Sequence, residues 1–241
     1  MNHLFTKTIF LLVLVLFVSC KQKETETTEN KIIIADSTDI FEKIQTGDLL
    51  FVGLPVSYSI DPNASNLPAN EETCAGDSLN LIHVAILEVA NDTTWIIDAT
   101  IKHNVCRYPL DTFLADFTLP DGSFPLFIIK RLNDNAEAVK YVENAKKCIG
   151  RPYDVDFLPD NEAQFCSELV RNSYITTKGE YLFDEVPMNW QKKDGSPILY
   201  WQQLFGLIKA EVPQGRMGTT PAQMVTSPLL RTVNAKVERG K

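Results

Sequence analysis

Three side chains in this sequence have the types that thiol-dependent hydrolysis needs: Cys166 in FCSELV, His83 in LNLIHVAILEV and Asp98 in WIIDAT. A cysteine nucleophile needs a base to take its proton and a third group to orient that base. The stretch 150–170, GRPYDVDFLPDNEAQFCSELV, passes from a Gly-Arg-Pro-Tyr turn through an irregular acidic segment to Cys166 at the head of an apolar helix. A thiol at a helix N-terminus lies near the positive end of the macrodipole, which favours the nucleophilic thiolate. Each residue also has a plainer reading. Cysteine is among the most buried residue types, and a lone histidine in an apolar strand is more often a packing or structural hydrogen-bonding group. Asp98 has a competing role at a strand end or turn. The surrounding elements decide between these readings.

His83 lies in a predicted strand over 79–89 that is apolar on both faces, so its sheet is covered on both sides or curls into a barrel. Leu81, His83, Ala85, Leu87 and Val89 share one face; Ile82, Val84 and Ile86 share the other. Asn91-Asp92 is a turn, and residues 94–100 form the returning strand. A loop symmetric about that turn pairs positions whose numbers sum to 183, setting His83 opposite Thr100 and Asp98 opposite Ala85. His83 and Asp98 are then diagonal neighbours on one face, about 7–8 Å apart at the backbone. A one-residue slip would put them on opposite faces.

The remaining elements follow from pattern and capping. A helix is expected over 37–44 with Asp36 or Ser37 as cap, then a short strand over 49–52 and a long irregular loop over 54–78. A strand over 104–108, a helix over 110–117 and a strand over 126–131 come next. A helix over 134–148 has Ala138, Tyr141, Val142, Ala145 and Cys148 on its apolar side, Asn133 or Asp134 as cap, and Gly150 and Pro152 as its stop. The Cys166 helix turns Leu169, Val170 and Tyr174 inward. Gly195-Ser196-Pro197 is a turn, 199–208 a short helix, and Thr220-Pro221 a helix start with threonine as cap and proline at the first position.

The N-terminus is of a different character. Lys7 precedes an uncharged run, 8–19, with IFLLVLVLFV at its heart, which reads as a signal peptide too short to span a bilayer comfortably. It ends in FVSC and resembles the bacterial lipobox, which makes Cys20 the expected lipidation site and the first mature residue. The polar segment KQKETETTEN reads as a tether. The expected organisation is therefore a leader over 1–19, a lipidated cysteine and tether over 20–36, and one domain over 37–241. The net charge of −8 becomes −9 once Lys7 is removed with the leader, which argues against nucleic acid and against charge-driven docking on anionic lipid. Cys74, Cys106, Cys148 and Cys166 form no CxxC pair, so a structural zinc site is not expected. A Cys74–Cys106 disulfide stays open.

Taken together, GDLLFVG at 47–53, HVAILE at 83–88, IIDAT at 96–100, GRPYDVDF at 150–157 and FCSELV at 165–170 resemble the YiiX-like, circularly permuted branch of the NlpC-type papain-fold enzymes. The resemblance covers about residues 40–180. It implies an α+β fold in which a small antiparallel sheet or open barrel packs on the nucleophile helix. It also implies Cys166 as nucleophile, His83 as base and Asp98 at the orienting position, where relatives vary. Tyr153 matches a tyrosine before the nucleophile helix that lines the pocket. No cofactor and no metal are implied. Amide hydrolysis in peptide or cell-envelope material is the expected activity. A lipid-directed thioesterase or acyltransferase, and a non-catalytic envelope-binding lipoprotein on the same fold, stand as alternatives. The expected location is the bacterial cell envelope, with the protein anchored to a membrane through lipid on Cys20.

Overall fold

A computed structural model of the chain describes residues 41–158, 161–235 and 237. The leader, Cys20 and the tether lie outside the described residues, as do 37–40 of the first expected helix. Among the described residues no helix is long and apolar enough to cross a membrane.

The sheet is built outward from β1 (Leu49–Pro55), whose seven residues are all buried. An apolar strand without alternation needs a partner on each edge and cover on each face. β1 has all of these. It pairs antiparallel with β2 (Leu79–Ala90) on one edge and with β5 (Leu126–Leu132) on the other. β3 (Thr93–Thr100) and β4 (Asn104–Pro109) extend the sheet beyond β2, and β8 (Leu230–Val233) closes the far edge, giving the order β4-β3-β2-β1-β5-β8. Every pairing is antiparallel. The β2–β3 turn places Asn91 and Asp92 at φ 52° and 57°, the left-handed pair that matches strand twist in a two-residue hairpin. The expected register holds: Ile86 faces Ile97 and Val89 faces Thr94.

Helices cover the sheet. One face carries Leu49, Phe51, Val84, Ile86, Ile97 and Ala99, packed against Tyr141, Val142 and Ala145 of α2 (Ala138–Lys146) and Leu169 and Val170 of α3 (Cys166–Ser173). Leu169 and Val170 are fully buried, and each contributes about 1.5–3 kcal/mol of apolar transfer energy. α1 (Leu110–Asp116) buries Leu110, Phe113 and Leu114, with the Phe113 ring 6.2 Å from that of Phe127 on β5. Two later helices complete the domain: α4 (Leu199–Ile208), matching the expected span, and α5 (Pro221–Met224), capped by the Thr220 side chain. A two-residue pair, β6 (Val186–Pro187) with β7 (Met217–Gly218), ties the tail together. The fold is thus the expected α+β arrangement, an antiparallel sheet packed on the helix that carries Cys166.

Three local expectations are corrected. Residues 41–44 are not helical: the Glu42 N–H donates to the Asn234 carbonyl at 2.7 Å, drawing this segment alongside the chain just after β8. The 134–148 helix begins at Ala138, because Asp134 accepts from the Ala136 N–H at 3.1 Å in a local turn instead of capping the helix. Leu81 joins the face of Val84 and Ile86 rather than that of Ala85. The cause is a bulge, with Val52 paired to His83 but Gly53 paired to Leu81, so Ile82 is the extra residue and the faces exchange there. Bulges commonly sit beside active sites because they re-aim a side chain. β8 had no signal in its own sequence, LRTV, which is short and half polar.

The turn before β1 is a structural junction. Gly47 adopts φ +85°, and a Cβ built there would lie 2.7 Å from the Ala138 Cβ. Gly47→Ala is therefore expected to destabilise the fold by about 1–3 kcal/mol, through the left-handed backbone and the overlap together. The check is the thermal midpoint, which should fall by a few degrees per kcal/mol. An unchanged midpoint would mean that the turn relaxes freely.

Candidate active site

The bulge at Ile82 sits next to His83, which is 6 % exposed. Across β2 and β3 the imidazole Nε2 lies 2.9 Å from Asp98 Oδ2, the diagonal contact that the register requires. Asp98 is fully buried. Rings of Phe117 and Phe113 lie 5.1 and 6.0 Å from the imidazole and restrict its tilt.

Cys166 arrives from the opposite layer. The chain leaving α2 turns at Gly150 and runs beside the start of β4: the Gly150 N–H donates to the Val105 carbonyl at 2.8 Å, and the Val105 N–H to the Arg151 carbonyl at 3.0 Å. The Asn104 Oδ1 accepts the Tyr153 N–H at 3.1 Å. Gln164 then pairs alongside, its N–H donating to the Pro152 carbonyl at 2.9 Å and its carbonyl accepting from Asp154. Buried Asp154 accepts the N–H groups of Asp156 and Leu158, folding the acidic segment back on itself. This lacing fixes where α3 begins. Phe165 is the N-cap in extended conformation, and Cys166 is the first helical residue. Phenylalanine has no capping acceptor, but Glu168 reaches back to the Phe165 N–H at 3.3 Å. Burial pushes the Glu168 carboxyl up to about 7, against the pull of that N–H.

The Cys166 side chain is 5 % exposed and meets the imidazole. Burial alone would push His83 down, but a charge and a hydrogen bond from Cys166, together with the hydrogen bond from Asp98, raise it to about 10. Nε2 is occupied by Asp98, so Nδ1 is the ring nitrogen left for the sulfur. The arrangement is a line: carboxylate, imidazole, sulfur. Such a line can pass a proton between sulfur and imidazole, and Cys166 stands in the first turn of α3, where backbone N–H groups have no intrahelical acceptor.

The tyrosines sort by distance from this line. Tyr153 is half-buried beside it; burial and negative charge at Cys166 hold its phenol protonated. Two residues were missed from the sequence. Tyr108 donates to both oxygens of Asp98 at 2.9 Å. Period-two reading of β4 could have found it, had the β3–β4 register been worked out as the β2–β3 register was. Burial, and then the charge of Cys166, push the phenol of Tyr200 on α4 up, although nothing in its local sequence links it to this site. α4 is held by Trp201 Nε1 donating to Asn80 Oδ1 at 2.9 Å, and by Gln203, which accepts the Ile60 N–H at 2.9 Å. The 54–78 loop and α4 thus form one wall, backed by Phe157, Phe165, Met188, Trp190, Trp201 and Phe205.

Cys74, Cys106, Cys148 and Cys166 are all free thiols, so the open disulfide is not formed. Among the described residues, no three or more of His, Cys, Asp and Glu converge as a metal-binding set. An open cavity of about 590 Å³ lies between α2 and α3, lined by Lys147, Arg151, Glu168 and Arg171 among others, but none of the three aligned residues borders it.

Comparison with known proteins gives concordant matches. Residues 43–234 match the family described as permuted papain-like amidase enzyme, YaeF/YiiX, C92 family. The uncharacterized protein YiiX of Escherichia coli strain K12 is 24 % identical over 140 residues, covering 56 % of this chain and 59 % of that protein. The chain therefore matches somewhat over half the length of that curated relative. A crystal structure described as metalloprotein yiiX from Escherichia coli O157:H7 superposes with a TM-score of 0.55 at 22 % identity, covering 80 % of this chain and 97 % of that one. That likeness carries the fold. The metal is a property stated of that protein.

Proposed function

This chain belongs to the permuted papain-like amidase family, and from that premise we propose that it is a cysteine hydrolase that cleaves an amide bond in peptide or cell-envelope material, with Cys166 as nucleophile, His83 as acid and base, and Asp98 as the group that orients the imidazole. The observation that carries the reading is the buried line Asp98–His83–Cys166. The sulfur attacks the carbonyl carbon, and the first N–H groups of α3 receive the oxyanion. His83 Nδ1–H protonates the leaving amine as the C–N bond breaks. Water, deprotonated by the same nitrogen, then releases the acid and restores the thiol. Asp98 accepts from Nε2 throughout, fixing the tautomer and balancing the imidazolium. Tyr153 and Tyr200 line the substrate side in this reading, which the effect of Cys166 on both phenols supports.

Export to the cell envelope and lipid attachment at Cys20 belong to the same proposal. The uncharged 8–19 run and the FVSC that ends it support them. A tethered enzyme of this kind meets envelope peptides at high local concentration.

The test is hydrolysis of a panel by the full chain: envelope-derived peptides in one arm, acyl thioesters and esters in the other. Release of new amines from the peptide arm alone is the expected result. Turnover in the acyl arm alone would replace the amidase reading with the thioesterase one. Turnover in neither, with Cys166 no more reactive than free cysteine near neutral pH, would leave a binding module.

A further inference from the structure

The register that joins His83 to Asp98 continues one strand further. Asp98 pairs with Cys106 and Ile96 with Tyr108, so Tyr108 is a diagonal neighbour of Asp98 on the side away from His83. Three side chains on three consecutive strands form an oblique row on one face of the sheet. Asp98 has no exposure to water. A buried carboxylate is costly unless its oxygens are occupied, and each of these oxygens takes the same phenol hydroxyl. Oδ2 is shared with His83, whereas Tyr108 is the hydrogen-bond donor seen on Oδ1.

We propose that Tyr108 is a positioning residue of this site, whose hydroxyl, astride the Asp98 carboxylate, holds that group turned toward His83. The inference rests on the hydrolase reading given above. Tyr108 suits the task because it never becomes an anion in the working range: burial, and then the charge of Asp98, push its phenol far up. It is 8 % exposed, and its ring rests 4.9 Å from His103, which Asp116 holds at 2.6 Å. The ionisable groups facing this row are therefore His103, Asp116 and Cys106 around Tyr108, and Cys166 and Tyr153 toward the far end.

Without the hydroxyl, Asp98 loses charge-assisted support, the imidazolium loses part of its counter-charge, and the thiolate forms less readily. Tyr108→Phe should move the acid limb of Cys166 alkylation by iodoacetamide upward by about one pH unit, the shift that follows from losing one hydrogen bond to a charged group. The limiting rate at high pH should stay the same. In an Asp98→Asn background, the Tyr108→Phe change should add no further shift, because Tyr108 acts through the carboxylate. A role confined to packing would move melting and leave the limb in place, or shift it equally in both backgrounds; either result overturns the assignment. Should Tyr108→Phe fail to fold, 3-fluorotyrosine placed at 108 gives the opposite test: a more acidic phenol donates more strongly, so the limb should move downward, and an unmoved limb overturns the proposal. A wild-type limb already at the position of free cysteine would sink the hydrolase reading itself. A depressed, His83-dependent limb that Tyr108→Phe leaves unmoved would remove only Tyr108.

Discussion

Replacing Cys166 by alanine is expected to reduce hydrolysis to background, and replacing His83 by alanine to lower kcat/KM by about 10²–10⁴-fold, the range for a positioned acid and base. The two losses should not add. Once the sulfur is gone the imidazole has nothing to deprotonate, so the double variant should match Cys166→Ala alone. Additivity would mean that His83 acts on substrate independently of Cys166, contrary to the contact between them. The pH profile carries a further signature. The folded protein holds His83 protonated up to about 10, above its ordinary 6.5. A raised histidine stabilises its charged state fully below the ordinary value and loses that contribution as pH rises through the folded value. The imidazolium, and with it protonation of the leaving amine, is thus present at neutral pH and lost toward pH 10. The alkaline limb of kcat/KM should lie in that region. An alkaline limb near 6.5 would mean that Asp98 and Cys166 do not hold the imidazolium.

The parts of this site that the sequence made legible are those governed by short-range periodicity. His83 and Asp98 lie in one hairpin whose turn, Asn91-Asp92, fixes register by its own backbone preference, so their contact could be worked out from counting. The start of α3 at Cys166 was legible because proline, acidic residues and then an apolar run mark a helix entry. The Ile82 bulge was not, since two apolar faces look alike before and after an inserted residue. β8 pairs with β5 across about a hundred residues, and nothing in LRTV encodes that partner. Tyr200 comes within the influence of Cys166 through α4, which Trp201 and Gln203 latch to Asn80 and the 54–78 loop. Family resemblance pointed to Cys166 and His83. It did not name Tyr108, because that role exists only through the β3–β4 register.

Asp48→Ala is expected to be the most destabilising single change outside the catalytic line, at about 3–5 kcal/mol. Asp48 is fully buried and Arg131 is 5 % exposed; they meet two to two, Nε to Oδ1 at 2.6 Å and Nη2 to Oδ2 at 2.8 Å. Asp48 Oδ2 also accepts the Gln45 N–H at 2.8 Å, and Arg131 Nη2 donates to the Lys43 carbonyl at 2.8 Å. Removing the carboxylate leaves a buried guanidinium with only the longer contact of Nη1 to Glu42 Oε2 at 3.4 Å, which costs more than the pair itself contributes. For a protein of this size the melting midpoint should fall by roughly 6–20 °C. Removing both partners, as Asp48→Leu with Arg131→Met, should recover much of the loss, because no unpaired charge remains. If the double variant is as unstable as the single, the pair is required for backbone order rather than for charge balance. The change should also reach the active site. The same turn binds the far end of α3, through Tyr174 donating to the Gly47 carbonyl at 2.9 Å, and it starts β1, which pairs with His83 at Val52. Loosening it frees the helix that carries the sulfur and the strand beside the one that carries the base. Cys166 alkylation in Asp48→Ala should therefore slow at neutral pH even below its melting transition, whereas a rate equal to that of wild type there would show that the junction supports stability alone.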